Sequence, residues 1–382
     1  MTQCFYMFFQ RLAIAEIAAV LLGCGLVGRG TPRPGHIQAM TGKQRILTAL
    51  QRQTPDCVPT FEWFIDGVVT QALVGTTEPV AAAHALDLDA INVRADYRKQ
   101  FSDSGTFVDE WGVKRMLTSD AMPHVLESPI KDIARHGDYR FPDATAPHRF
   151  ATLERALKLV DGKRAIIWNL RDGFSDVRDL LGYEEAMMQM LLEPEHFAAL
   201  LDRAVDYNLA LARVGVERFG VEVIATTDDV ANGSGLLMSP ATYFKVIAPA
   251  FRKVIGGYRS LGCHVIKHCD GDVRPVLDFW IECGISCLDP IDPSGGLHMP
   301  TMKKQYGGRI CLKGNVDCAG VLQNGTVAEV ETAVRELLRD CGRDGIILSS
   351  SNSIHSGVKP ENYQAMLQAL RREGRGASVA AV

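Results

Sequence analysis

The sequence has no run of lysine or arginine: its 41 basic and 45 acidic residues are interspersed and leave a formal charge of −4. That removes the electrostatic footprint needed to hold a nucleic-acid backbone or an anionic membrane surface, and makes a small molecule the default ligand. A C-x-x-C pair is also missing. Ten cysteines at irregular spacings form no dense disulfide framework and read as the reduced thiols of a cytoplasmic protein. Cys283 and Cys287 come nearest to a redox motif, one residue too far apart, and are expected to be packing cysteines. No Gly-rich phosphate loop follows the first strand-like run, which weighs against a doubly wound dinucleotide-binding sheet. Apolar residues are not scarce: 47% hydrophobic against 23% charged over 382 residues excludes disorder and supplies the core of one large domain or two ordinary ones.

The first 39 residues stand apart. From Leu12 to Gly28 the chain is apolar except for Glu16, with Arg11 ahead of it, so it resembles a signal peptide, and Cys24 after Leu21-Leu22-Gly23 resembles a lipoprotein cleavage site. Leu22 is bulky for such a site, Glu16 interrupts the apolar run, and the stretch is short for a membrane span. Residues 1–39 are therefore expected to be an atypical extension with Met40 the natural start, 40–374 the single domain, and 375–382 a C-terminal tail.

From there on, short apolar or β-branched runs alternate with helical patterns, as in a parallel sheet covered by helices. Eight runs are readable: Val58 to Glu62, Asp89 to Arg94, Ala165 to Leu170, Val223 to Asp229, Cys263 to Asp270, Cys287 to Asp292, Ile310 to Asp317 and Gly345 to Asn352. Helices are expected over Ser239 to Ser260, Val273 to Cys283 and Thr326 to Cys341, with Pro240 and Gly342 as start and stop signals. Eight such units predict an α/β fold, a (β/α)8 TIM barrel, with a β-excursion around Phe107 to Gly112 between the second and third strands.

In such barrels the chemistry sits at the C-terminal ends of the strands. Those ends carry Glu62, Arg94 and Asp96, Asn169 with Arg171 and Asp172, Asp228 and Asp229, His268 and Asp270, Asp289 and Asp292, Asn315 and Asp317, then Asn352 and His355. An isolated Asp after a strand is more often a helix cap; eight polar ends converging on one mouth make a site. The mouth reads as carboxylate-rich with few counter-charges, only Arg94, Arg98, Lys99 and Arg171 being in plausible places.

At Lys267-His268-Cys269-Asp270-Gly271-Asp272-Val273 and Leu312-Lys313-Gly314-Asn315-Val316-Asp317 the chain resembles the uroporphyrinogen decarboxylase superfamily. The resemblance extends to Leu236-Leu237-Met238-Ser239-Pro240, Asp109-Glu110-Trp111-Gly112 and Pro360-Glu361-Asn362, and covers Met40 to Arg372. It implies the barrel fold and two chemistries. Decarboxylases of the family need no cofactor, hold their tetrapyrrole with an Arg-rich segment after the first strand, and place an Asp at the pyrrole nitrogens. The resemblance puts Asp96 at that Asp and His355 near a late family His, but Thr60-Phe61-Glu62-Trp63-Phe64-Ile65-Asp66 is acidic and aromatic where the Arg-rich segment belongs, which opposes an octa-anionic substrate. The family's methyltransferases pass a methyl group between a corrinoid and a thiol, using zinc held by His-x-Cys after the fifth strand and a Cys after the eighth. The matching positions here are His268, Asp270 and Asn352, so both cysteines are missing.

Strand alternation puts His268 and Asp270 on one face and Cys269 on the other, as a structural thiol. His268 and Asp270 are thus either ligands of a divalent metal such as zinc or a metal-free acid–base pair. The candidate catalytic groups are Asp96, Asp228, His268, Asp270 and His355; the substrate-binding ones are Glu62, Arg94, Asn169, Arg171, Asp229, Asp292, Asn315 and Asn352. Three functions are compatible with these residues. Methyl transfer to or from a corrinoid or thiol leads, followed by cofactor-free decarboxylation of uroporphyrinogen, then a non-catalytic barrel that binds a corrinoid protein. A homodimer is compatible with the resemblance, and no membrane span is expected in the barrel.

Overall fold

The computed structural model describes residues 39–102, 105–117 and 123–376; the signal-like stretch, the expected extension and most of the C-terminal tail lie outside them. Strands are β1 (Ala90–Arg94), β2 (Lys99–Phe101), β3 (Thr106–Asp109), β4 (Lys114–Met116), β5 (His124–Glu127), β6 (Ala165–Leu170), β7 (Val223–Thr227), β8 (Ala231–Asn232), β9 (Gly235–Leu236), β10 (His264–His268), β11 (Cys287–Ile291), β12 (Cys311–Val316) and β13 (Ile346–Ser350). Seven of them form one parallel sheet in the order β1-β6-β7-β10-β11-β12-β13. The order follows the chain, as in a barrel rather than a doubly wound sheet, whose order reverses at a switch point.

Val58 to Glu62, expected as the first strand, does not run as one. Pro59 has no N–H to give a ladder. The segment instead lies against both sheet edges: the Pro59 carbonyl accepts from Leu348 N of β13 at 3.0 Å, and the Thr60 carbonyl accepts from Asp89 N, just before β1, at 2.9 Å. The sheet is curled, with seven strands and a bonded, irregular connector between its edges.

Side chains alternate across this sheet and make two apolar layers. Ala90, Ala165, Ile167, Val223, Ala225, Ile266, Cys287, Cys311 and Ile347 point to the concave side, where Phe61 and the helix Gly42–Leu50 join them through Ile46, Ala49 and Leu50. That helix starts at a capping box of Thr41 and Gln44, which satisfies two of its unpaired N–H groups. The alternate residues, such as Ile224 and Val265, pack outward against the helices in a second, larger cluster. Each fully buried aliphatic or aromatic side chain there contributes about 1.5–3 kcal/mol.

The expected helices form at Arg274–Cys283 and Val327–Cys341, the latter capped by Thr326 and Glu329. The helix expected over Ser239 to Ser260 is interrupted: Tyr243–Ile247 is a π turn ahead of Ala248–Ser260. Pro249 cannot donate to the turn before it, and its ring crowds that carbonyl. The β-excursion is larger than expected, an antiparallel sheet in the order β2-β3-β4-β5. Among the described residues no helix is long and apolar enough to cross a membrane.

Candidate active site

A cavity of about 1040 Å³ opens where the parallel strands end. His268, the last residue of β10, is 4% exposed and sits on the flat face of Trp63, with ring centroids 4.1 Å apart and planes 16° from parallel. Its Nδ1 lies 2.7 Å from Asp289 Oδ2 of β11. The other oxygen of Asp289 accepts from Lys313 Nζ of β12 at 2.7 Å, and both residues are almost fully buried. Burial alone would raise the Asp289 carboxyl, but Lys313 and His268 hold it below the usual carboxylate range. A carboxylate at Nδ1 fixes the ring's orientation, so Nε2 is the atom presented to the site, 3.6 Å from Asp270 Oδ1.

Asp270 is fixed in turn. Its backbone N–H donates to Asp229 Oδ1 at 3.0 Å, and Asn352 Nδ2 donates to its Oδ1 at 3.0 Å. Burial and the neighbouring Asp229 raise its pKa, against the pull of His268. Asp229, His268 and Asp270 each offer a ligand atom within 4.8 Å of the other two. One imidazole and two carboxylates, one of them raised by its like-charged neighbour, are a donor set that a divalent cation with nitrogen and oxygen preference satisfies. Cys269 faces away from this cluster; burial lifts its thiol to about 12, which leaves it protonated and a poor ligand.

Of the expected site residues, Glu62, Arg94, Asp96, Asn169, Arg171, Asp229, His268, Asp270 and Asn352 line the cavity. Glu62 accepts from the backbone N–H of Ser350 at 3.1 Å and from its hydroxyl at 2.6 Å; burial raises its pKa to about 7. Asn169 Oδ1 accepts from the Thr227 hydroxyl at 2.7 Å, while its Nδ2 has no partner. Asp96 lines the cavity, but both its oxygens are engaged by Thr152, at 2.8 Å from the backbone N–H and 2.7 Å from the hydroxyl. It anchors the start of the helix Ala151–Val160.

Four expected residues lie elsewhere. Asp228, adjacent to Asp229, turns outward and accepts from the backbone N–H groups of Asp172 and Phe174 at 3.1 and 2.8 Å, at the start of the helix Phe174–Leu181. Asp292 caps the turn Pro293–Gly295 through Ser294. Asn315 Nδ2 donates to the Ile291 carbonyl at 2.8 Å and ties β12 to β11. His355 Nδ1 accepts from Gly357 N at 3.1 Å, outside the cavity lining. Asp292 and His355 bond to their own loops, the local competition that draws Asp and His there, whereas Asp228 and Asn315 are taken up by the backbone of neighbouring segments.

The expectation of few counter-charges is also overturned. Lys99 and Arg115 of the antiparallel sheet, Arg155 and Arg178 of helices, and Arg94 and Arg171 all line the cavity. Sequence reading counted Asp289 among the strand ends without giving it a role, and left out Trp63 and Lys313. A usable signal existed for Lys313, since a lysine inside an apolar strand demands a buried partner.

The uroporphyrinogen decarboxylase family profile matches residues 41–373. Among curated relatives, the methylcobamide:CoM methyltransferase of Methanosarcina mazei is 24% identical over 353 residues, 87% of this chain and 98% of that protein. The methylated-thiol–coenzyme M methyltransferase of the same organism is 24% identical over 225 residues; the match spans 59% of this chain and only 58% of that protein. The uroporphyrinogen decarboxylase of Geobacter metallireducens is 24% identical over 317 residues, 78% of this chain and 86% of that one. A solved methyltransferase from Methanosarcina mazei superposes with a TM-score of 0.71 at 22% identity, covering 87% of this chain and 99% of its own, and shares the fold. With the profile spanning nearly all of the described residues, the chain belongs to the uroporphyrinogen decarboxylase family.

Proposed function

We propose that this protein is a metal-assisted methyltransferase that moves a methyl group from a small methylated compound to a corrinoid or thiol acceptor, in the mouth of a barrel whose eighth side is the segment 58–62. The observation that carries this reading is the cluster of Asp229, His268 and Asp270, backed by Asp289 and Lys313, at the cavity wall. The names of the relatives for methylcobamide, CoM and methylated thiols supply the acceptor class. A divalent ion with mixed nitrogen and oxygen ligands, zinc in the first place, would supply Lewis-acid polarisation of the heteroatom that carries the methyl group.

The chain's own residues do the rest. Asp289 holds His268 in one orientation, Asn352 holds Asp270, and the Trp63 ring covers one face of the imidazole and keeps water from it. In the transfer, the acceptor's lone pair forms the new bond to carbon as the carbon–heteroatom bond breaks, and that bond's electrons stay on the heteroatom. Glu62, on the same cavity and still partly protonated near neutral pH because it is buried, can return a proton to the departing group.

One observation favours cofactor-free decarboxylation instead: six basic side chains line the cavity. At least three of them are already committed, Arg115 to Asp109 and Asp179, Arg155 to Glu78, and Arg171 to Asp176 and Asp179. Too little positive charge remains for an eightfold carboxylate. The deciding experiment is elemental analysis of purified protein beside His268→Ala and Asp270→Ala. Near-stoichiometric metal that both variants lose supports the proposal; metal-free protein that turns over uroporphyrinogen defeats it.

A further inference from the structure

We infer that Lys267 is a positioning residue of the candidate metal site, holding the backbone at the end of β7 from behind the sheet so that Asp229 faces His268 and Asp270. This rests on the metal-assisted methyl-transfer reading above and names what sets the geometry of that cluster. Along Lys267-His268-Cys269-Asp270 the side chains alternate. His268 and Asp270 line the cavity, whereas Lys267 and Cys269 do not and are fully buried behind it. Away from the cavity, this lysine contacts no substrate. Burying its ammonium is costly unless charge and hydrogen bonds answer it, so its partners decide its role.

Lys267 Nζ lies 2.6 Å from Asp172 Oδ2, just after β6, and donates to the Asp228 carbonyl, just after β7, at 2.8 Å. Its ammonium also sits 5.2 Å from the centre of the Trp280 ring. Asp172 balances the charge. The carbonyl bond does something else, because that carbonyl belongs to the peptide unit whose nitrogen is that of Asp229. The ladder between β7 and β10 ends at the pair Thr227 and His268, so beyond it the sheet no longer fixes the backbone. The Asp228 side chain is fastened on the same outward side, by the N–H groups of Asp172 and Phe174. With both the carbonyl and the side chain of Asp228 held behind the sheet, the next side chain is directed to the cavity. There Asp229 Oδ1 accepts from the Asp270 N–H at 3.0 Å. Lys267 thus reaches from the residue before His268 to the residue before Asp229, and couples two of the three candidate ligands through one hydrogen bond.

A lysine that only stabilised the fold would behave differently. An ion pair between Lys267 and Asp172 makes its two partners equivalent, since either substitution strands the other's charge. A clamp on the Asp228 carbonyl makes them unequal. Asp172→Asn leaves Lys267 and its bond to that carbonyl in place, whereas Lys267→Met removes the bond and keeps the apolar stem against Trp280.

The test compares the full-length wild type with Lys267→Met, Asp172→Asn and the double variant. Zinc affinity is read by competition with a chromophoric chelator, ligand geometry by the visible absorption of the cobalt(II)-loaded protein, and stability by chemical unfolding without metal. Losing a group that orients a ligand typically lowers metal affinity by about tenfold to a hundredfold. Lys267→Met and the double variant should both show that loss and a changed cobalt spectrum, and Asp172→Asn should show neither. The double variant should also regain part of the stability that Lys267→Met loses, because no carboxylate is left stranded, without regaining affinity. It carries the test should Lys267→Met alone fail to fold. Affinity that falls equally in Asp172→Asn, or that recovers together with stability in the double variant, overturns the inference and leaves the lysine a structural ion-pair partner. Unchanged affinity and spectrum in Lys267→Met overturn it as well. Wild-type protein that takes up neither zinc nor cobalt defeats the methyl-transfer reading and this inference with it, an outcome distinct from a metal-loaded wild type matched by Lys267→Met.

Discussion

Two buried residues carry predictions of their own. Asp289 balances Lys313 on one oxygen and His268 on the other. Lys313→Met removes one partner of a buried charge, a change that typically costs about 3–5 kcal/mol, and it loosens the group that orients His268. Chemical unfolding should register that loss. The double variant Lys313→Met with Asp289→Asn should recover part of it, because the stranded carboxylate is gone; no recovery would mean that the pair is not coupled. Glu62 makes a prediction in pH. Burial lifts its pKa from the usual 4.5 to about 7, so the folded state holds its proton more tightly than the unfolded chain. Stability from this group is therefore complete below pH 4.5 and is lost as pH rises through about 7. Glu62→Gln keeps one of the two oxygens that accept from Ser350, as a protonated carboxyl does, and removes the charge. It should match the wild type near about pH 5 and exceed it by on the order of 3 kcal/mol near about pH 8, as read by unfolding at both.

The next scale is the loop that delivers Asp270. Gly271 has φ +86°, and a Cβ there would lie 2.1 Å from the Asn232 carbonyl of β8, so the hairpin β8–β9 and the loop after β10 can meet only across a glycine. Gly271→Ala should push the two apart and carry Asp270 away from Asp229 and Asn352. The expected result is metal affinity down by tenfold or more, with far-UV circular dichroism unchanged; unaltered affinity would separate Asp270 from the site. At this scale much was legible from sequence. β-branched runs ending in polar residues located all seven parallel strands to within two residues, the eighth run being the segment 58–62 that is not a strand, and Pro240 and Gly342 marked a helix start and a helix stop. Phase at a strand end was not legible. β7 stops at Thr227, and past a strand's last ladder bond the period of two no longer says which neighbour points inward. Asp228 and Asp229 were therefore indistinguishable, though one caps a helix and the other lines the cavity. The basic lining was only partly legible: Arg94, Lys99 and Arg171 were expected near the mouth, whereas Arg115, Arg155 and Arg178 reach the cavity through tertiary packing of an excursion and of helices, which no local pattern reports.

For the whole molecule, the question is whether the proposed metal would build the fold or only use it. Every member of the cluster is already held by protein: His268 by Asp289 and Trp63, Asp270 by Asp229 and Asn352. The two apolar layers that hold the strands lie beneath and outside it, with no share in the ligand atoms. Metal binding should therefore add to stability by mass action alone, unlike a zinc finger that is unfolded without its ion. At a free zinc concentration of about 100 times the dissociation constant the gain is about 2.7 kcal/mol, which for a chain of this size raises Tm by a few degrees. His268→Ala should lose that increment while retaining a cooperative transition. A chelator should return the wild-type protein to its metal-free Tm with near-UV circular dichroism intact. Collapse of the near-UV signal on chelation would instead mean that Asp229, His268 and Asp270 are held together by the ion, and that the like-charged pair Asp229 and Asp270 cannot be kept close by hydrogen bonds to Asn352 and the backbone.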